Sequence, residues 1–188
     1  KSPAASSQTS QQPAWEFHSA SAGPLRVFKR PGVDVFLAEL RNIGELVLFT
    51  SATEQYAREL MERLDPAGSL LGGRLLSRRH CRTLLPGVFL KDLSRVGSPL
   101  ARTVLVDDTS SSFLLQPDNG VPVASYSGAD PADGALAALI PLLASLSRTA
   151  ADVRPRLREL FALEQKLDRA PLAGSSRPLD LSLGRHPM

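Results

Sequence analysis

Thr103-Val104-Leu105-Val106-Asp107-Asp108-Thr109 is the stretch on which the fold turns. A short β-branched, apolar run that ends in two adjacent carboxylates reads as a buried strand delivering negative charge into a cleft. Open α/β sheets place ligands at the C-terminal ends of their strands, and paired carboxylates there suit a hard cation such as Mg2+. The competing reading is a polar turn after a strand. Two upstream features favour the first. Another apolar run, Leu46-Val47-Leu48-Phe49, ends in the hydroxyls Thr50 and Ser51, and Lys91 directly follows a third, Val88-Phe89-Leu90.

The 188 residues suffice for one α/β domain with some tail to spare. A hydrophobic content of 43% excludes wholesale disorder, and a net charge of +3 with 22% charged residues is too mild for a nucleic-acid partner. The single cysteine, Cys81, excludes an internal disulfide and fits a reducing compartment. It lies in an arginine-rich stretch that would lower its pKa, against the alternative of an ordinary unreactive thiol. No apolar run is long enough to cross a bilayer and no secretory signal opens the chain, so no membrane partner is expected. The chain opens on Lys1 rather than Met, which reads as a fragment or a processed product.

Residues 1–24 are rich in Ser, Gln, Ala and Pro and read as a flexible lead-in, or as part of a hairpin joining Trp15-Glu16-Phe17 to Leu25-Arg26-Val27-Phe28. After the Lys29-Arg30-Pro31-Gly32 turn, Val33, Phe36, Leu37 and Leu40 predict an amphipathic helix. Leu46–Phe49 reads as a strand buried on both faces. A helix with Tyr56, Leu60, Met61 and Leu64 on one face follows; Ser51 and Glu54 have capping-box spacing. Ser51 is therefore either a cap or, with the helix N-terminus, a phosphate ligand. The cluster Arg74, Arg78, Arg79, His80 and Arg82 is a solvated face or an anion-recognition surface. Val121–Tyr126 reads as an edge strand because of Pro122. A helix follows with Pro141 expected to kink or divide it, and a last helix runs over Asp152–Leu167. Residues 169–188 read as a disordered tail.

Hydroxyl, lysine and carboxylates thus arrive at successive strand ends in that order, which excludes receiver domains and matches the later motifs of the haloacid dehalogenase superfamily. The segments Phe28–Val33, Val47–Ala52 with Tyr56-Ala57, Lys91–Ser94, and Val106–Thr109 through Pro117–Pro122 resemble the small CTD phosphatases, also called nuclear LIM interactor-interacting factors. Phe113–Pro122 and Asp152-Val153-Arg154-Pro155 look closest to the plant-type branch. The resemblance covers roughly residues 25–165, within one phosphatase-like domain expected over 25–168.

It implies an α/β, Rossmann-like parallel sheet flanked by helices, and a Mg2+-dependent phosphoserine/threonine protein phosphatase working through an aspartyl-phosphate. The implied partner is a phosphorylated protein or peptide, with the RNA polymerase II C-terminal domain as one candidate, and the implied location is intracellular, in the nucleus. Thr50 would hold a phosphoryl oxygen and Lys91 would neutralise charge. Asp108, with Asp107 beside it, would coordinate Mg2+. Ser51, Tyr56 and Arg79, the last preferred over Arg78, would face the substrate. The family's first motif, Asp-x-Asp-x-Thr/Val, occurs nowhere in the chain. It would carry both the nucleophile and the acid. The family's spacing puts it just before Lys1, on a central strand between Leu46–Phe49 and Val104–Val106. The expectation is a phosphatase whose nucleophile lies upstream of this segment, the segment alone being inactive. The alternative is an inert pseudo-phosphatase that binds phosphopeptides or proteins.

Overall fold

The computed structural model describes residues 15–19, 23–149 and 151–168. Strands β1 (Trp15–Ser19) and β2 (Gly23–Val27) form an antiparallel hairpin in which Trp15 stands opposite Val27. The chain turns at Pro31-Gly32, where Gly32 takes a left-handed φ of 75°, into helix α1 (Val33–Arg41). Strand β3 (Leu48–Phe49) leads to helix α2 (Glu54–Leu64) and returns as β4 (Leu75–Leu76), parallel to β3. Strands β5 (Arg82–Leu85) and β6 (Val88–Leu90) make a second hairpin around Pro86-Gly87. Strand β7 (Leu105–Asp107) pairs in parallel with β8 (Gly120–Pro122), and helices α3 (Ala135–Thr149), α4 (Arg154–Phe161) and α5 (Leu163–Asp168) complete the order. This is the expected α/β arrangement, with parallel strand pairs flanked by helices.

The period-two alternation of β7 decides which residues meet which layer. Val104 and Val106 pack with Phe36 of α1, Leu136, Leu143 and Leu146 of α3, and Leu157 of α4. Leu105 points the other way, into a cluster with Phe49, Leu93, Phe113 and the α5 residues Leu163 and Leu167. Asn119, 1% exposed, pins the chain around β7 by donating its amide hydrogens to the carbonyls of Leu100 and Thr103, both at 2.7 Å.

Several local expectations need correction. Ser51 does not cap α2: Thr53 occupies the N-cap without a side-chain hydrogen bond, and Ser51 is exposed. Of Leu46–Phe49 only Phe49 is buried; the other three are half-buried because a cavity lies along one edge of β3. Strand β8 stops at Pro122, short of the expected Tyr126, and is fully buried. Pro141 lies within the single helix α3. The expected last helix is broken in two at Ala162, which takes a left-handed φ of 46° and so ends α4. Of the segment expected to be a flexible lead-in or part of a hairpin, Trp15–Ser19 is described, as β1, while residues 1–14 and 20–22 and the whole 169–188 segment lie outside the described residues.

Between β3 and β7 runs a cavity of about 760 Å3. Its walls include Leu46–Phe49 on one side and Val104–Asp108 on the other, with Val33 and Phe36 of α1 and with Leu93 and Val96. The α/β layers are therefore interrupted at their centre, between the two apolar clusters.

Candidate active site

Lys91 leaves the end of β6, where the buried Leu90 anchors the strand, and Asp107 closes β7. Both are 9% exposed, and the Lys91 ammonium is ion-paired with the Asp107 carboxylate. The second Asp107 oxygen, Oδ1, accepts the Thr109 backbone N–H at 2.8 Å. Lys91 Nζ also lies 5.8 Å from the centroid of the Phe49 ring, which ends β3. A buried charge needs such pairing, since an uncompensated one is strongly disfavoured.

Thr50 follows Phe49, so it leaves the end of β3. Its Oγ1 accepts the Ala52 N–H at 3.1 Å, and its carbonyl is approached by Cys81 Sγ at 3.7 Å. Burial pushes the Cys81 thiol pKa up, opposed by the positive charges of Lys91 and Arg78. The unreactive-thiol reading is the one this environment favours. Ser51 contributes its backbone: its carbonyl accepts Arg78 Nε–H at 2.6 Å, while the Arg78 guanidinium lies 5.0 Å over the Phe89 ring.

Lys91 and Asp107 are thus brought together at the ends of β6 and β7, with Phe49 against Lys91, and Thr50 and Ser51 are the residues that follow Phe49 out of β3. Tyr56 sits one turn into α2, half-buried, with its phenol pKa raised by that burial. Arg79 turns away to pair with Glu54 at 3.0 Å and is 67% exposed in its side chain, so Arg78 is the arginine that touches the Thr50-Ser51 end of β3. Asp108 is exposed and its Oδ1 accepts from Thr109 Oγ1 at 3.2 Å.

Residues that carry no motif of their own hold this site in place. Asp92, 3% exposed, accepts from Ser94 Oγ (2.7 Å), the Ser94 N–H (3.1 Å) and Gln116 Nε2 (3.3 Å), and pairs with Arg82 at 2.7 Å. The Ser94 hydroxyl is the main cause that holds its carboxyl below the usual range, against the opposing effect of burial. Asp92 thereby fixes the turn immediately after Lys91. Asp-x-Ser, a local capping pattern, is the sequence signal that points to it.

A Mg2+ site is implied by the carboxylate pair. Mg2+ commonly takes one or two carboxylates and completes its shell with phosphate and water. Asp107 and Asp108 fit the carboxylate part of that set, but Asp107 has both oxygens engaged and no group of three or more His, Cys, Asp or Glu side chains gathers among the described residues. The fit is to a site completed by other ligands. No helix among the described residues is long and apolar enough to cross a membrane.

Residues 4–154 match the family model described as NLI interacting factor-like phosphatase. The chain is 37% identical over 142 residues to CTD small phosphatase-like protein 2 of Dictyostelium discoideum, covering 76% of this chain and 24% of that protein. It is 41% identical over 133 residues to CTD nuclear envelope phosphatase 1 of Xenopus tropicalis, covering 70% of this chain and 53% of that protein. It is also 37% identical over 153 residues to the mitochondrial import inner membrane translocase subunit TIM50 of Kluyveromyces lactis, covering 81% and 29%. The chain therefore spans between about a quarter and about half the length of these relatives. Among solved structures it superposes on Fcp1, an essential RNA polymerase II CTD phosphatase, with a TM-score of 0.59 at 16% identity, covering 77% of this chain and 58% of that one. That likeness establishes the fold.

Proposed function

We propose that this chain, which belongs to the NLI interacting factor-like phosphatase family, carries the phosphate-holding half of a phosphoserine/threonine protein phosphatase. The observation that carries this reading is the buried Lys91–Asp107 pair at the ends of β6 and β7, with Phe49, the residue before Thr50, against Lys91. A phosphoryl group entering there meets the Thr50 hydroxyl and the Lys91 ammonium. Both stabilise the charge on its oxygens more effectively in a water-poor site than in bulk solvent. Asp107 keeps Lys91 aimed at that position before substrate arrives. Arg78, fixed by the Ser51 carbonyl and the Phe89 ring, and Tyr56 flank the approach of the peptide.

Asp108 and Asp107 are the residues that would hold Mg2+, which when bound would supply further charge neutralisation at the phosphate. Neither Thr50 nor Lys91 supplies the carboxylate nucleophile that the family chemistry requires, and Asp107 is committed to Lys91. In this reading the nucleophile is contributed from outside these residues. Its oxygen would displace the serine or threonine oxygen from phosphorus, that oxygen would take a proton from an acid, and water would then release phosphate. A phosphoprotein such as the RNA polymerase II C-terminal domain is the substrate class, and the nucleus is the proposed location, in keeping with the CTD phosphatase relatives. The similarity to TIM50 sets the mitochondrion as the competing one.

A second reading is favoured by one observation: among the described residues no group of three or more His, Cys, Asp or Glu side chains gathers around Asp107 and Asp108. On it, the chain binds phosphopeptides without cleaving them. Phosphate release from a phosphoserine peptide by the natural full-length polypeptide in Mg2+ separates the two. Turnover that Lys91→Ala reduces by at least a hundredfold supports the phosphatase. Binding that Lys91→Ala weakens, with no phosphate released, leaves the binding module.

A further inference from the structure

Lys91 and Asp107 form their ion pair across two strands that share no ladder: among the described residues β6 pairs with β5 alone and β7 with β8 alone. Lysine carries its charge on a flexible four-carbon stem, so its ammonium stays on a buried partner only where the two backbones are held together. The segment that follows the carboxylate pair does this on both sides of Lys91. Ser111 Oγ donates to the carbonyl of Phe89, two residues before the lysine, at 3.3 Å. Gln116 Nε2 donates to Asp92 Oδ1, one residue after it, at 3.3 Å, and Gln116 Oε1 accepts the Leu93 N–H, two residues after it, at 3.1 Å. The gripping segment is itself tied to β7. The Thr109 N–H bonds Asp107 Oδ1, the Ser112 N–H bonds the Thr109 carbonyl at 3.0 Å, and the Asn119 N–H bonds the Gln116 carbonyl at 3.1 Å. The Asn119 side chain then holds the carbonyls of Leu100 and Thr103, just ahead of β7.

We propose that Ser111 and Gln116 are positioning residues that clamp β6 against the Asp107 end of β7 and so set where the Lys91 ammonium stands. Its value for a bound phosphoryl group rests on the reading of the site given above; the grip on Lys91 does not. The amide at position 116 is specified by what it faces. A carboxylate oxygen and a backbone N–H lie against it together, and among uncharged side chains only an amide presents an N–H donor to the one and an acceptor to the other. A glutamate would set a second negative charge against Asp92, which is 3% exposed and already shares its other oxygen with Arg82. A hydrocarbon would leave the Leu93 N–H without its acceptor. A catalytic group displaced by about 1 Å can lose about a hundredfold in rate, so two hydrogen-bonded grips beside Lys91 matter more to the site than to the fold.

The first test needs no phosphate and no turnover. The natural full-length polypeptide is pulse-acetylated with acetic anhydride, and mass spectrometry reads the rate at Lys91 against that at Lys29, whose side chain is 33% exposed. Gln116→Met keeps the length of the side chain and drops both of its hydrogen bonds; it should raise the Lys91 rate at least fivefold. Ser111→Ala, a milder change, should raise it at least twofold, and the two together should exceed either. Asp65→Ala is the control for general loosening: it removes the acceptor of the Ser69, Leu70 and Leu71 N–H groups after α2 and should leave the Lys91 rate within twofold. A Lys91 rate that Gln116→Met leaves unchanged, or that Asp65→Ala raises equally, overturns the proposal. A double variant no faster than Gln116→Met alone overturns the two-sided clamp. The second test titrates a phosphoserine peptide in Mg2+. Gln116→Met should weaken binding at least fivefold, and less than twofold in a Lys91→Ala background, since it acts through the lysine; the same factor in both backgrounds overturns the proposal. A wild type that binds no phosphoserine peptide removes the reading of the site, while the acetylation rates still decide the clamp.

Discussion

Removing one partner of the Lys91–Asp107 pair tests whether the site's charge is held away from water. The side chains are 11% and 7% exposed, so each depends on the other for compensation. Breaking a buried pair from one side costs about 3–5 kcal/mol. Asp107→Asn preserves shape, and its amide oxygen can still accept the Thr109 N–H that now reaches Oδ1 at 2.8 Å. The loss should therefore sit near the lower end, about 3 kcal/mol. In a chain of this size that is a fall in Tm of about 6–12 °C. Lys91→Met strands the carboxylate instead and should cost about as much. The double variant removes both charges and should recover most of the loss, giving a coupling of about 3 kcal/mol in the cycle. Urea unfolding followed by circular dichroism at pH 7, at low and high salt, measures all four corners. Salt should change the coupling little, because a buried pair is weakly screened. Single variants that cost under about 0.5 kcal/mol, or a coupling that salt abolishes, would place the pair in solvent and refute the reasoning.

Two further outcomes follow from the packing and the charges. A Cβ at Gly120 would lie 2.5 Å from Leu163 Cδ1 and 2.6 Å from Phe113 Cδ1. Gly120→Ala should therefore lower stability in urea by about 1–3 kcal/mol, whereas Gly44, where an added methyl would meet nothing within 4 Å, should accept alanine with a much smaller loss. The Arg154 guanidinium, with the Arg154 N–H, lowers the Asp152 carboxyl to about 2. A folded-state pKa below the unfolded one stabilises above the unfolded value, about 3.9, and that contribution is lost as pH falls through the folded value. The Tm difference between the wild type and Asp152→Asn should accordingly shrink between about pH 4 and pH 2, and a difference that stays constant there would contradict the assignment.

The parts of the site that could be read from the sequence are those where a strand end coincides with a chemical group. Leu46–Phe49 and Val104–Val106 announce themselves by apolar runs, and the ends of those runs are where Phe49 and Asp107 meet Lys91. Leu46, Val47 and Leu48, read as buried on both faces, are half-buried, because periodicity does not show the cavity along β3. Strand β4 was hidden because two leucines in a glycine-rich stretch carry no period. The β5–β6 hairpin had a signal, Pro86-Gly87 between apolar residues, that the basic cluster before it obscured. The break at Ala162 had none, since alanine is the best helix former. The choice between Arg78 and Arg79 depends on which way a single 3-10 turn (Arg78–His80) presents adjacent side chains, and spacing along the chain does not determine that.

The contact between α1 and α3 has a consequence for synthesis. It is tied at one end by Arg30, bonded to both carboxylate oxygens of Asp133 across 103 residues, and at the other by Ser147 Oγ, which donates to the Ile43 carbonyl across 104. A ribosome adding roughly 5–20 residues per second takes about 5–20 s to make that interval. For that time Val33, Phe36 and Leu40 have no native helix to pack against, and a nascent chain in that condition is a natural client for chaperones.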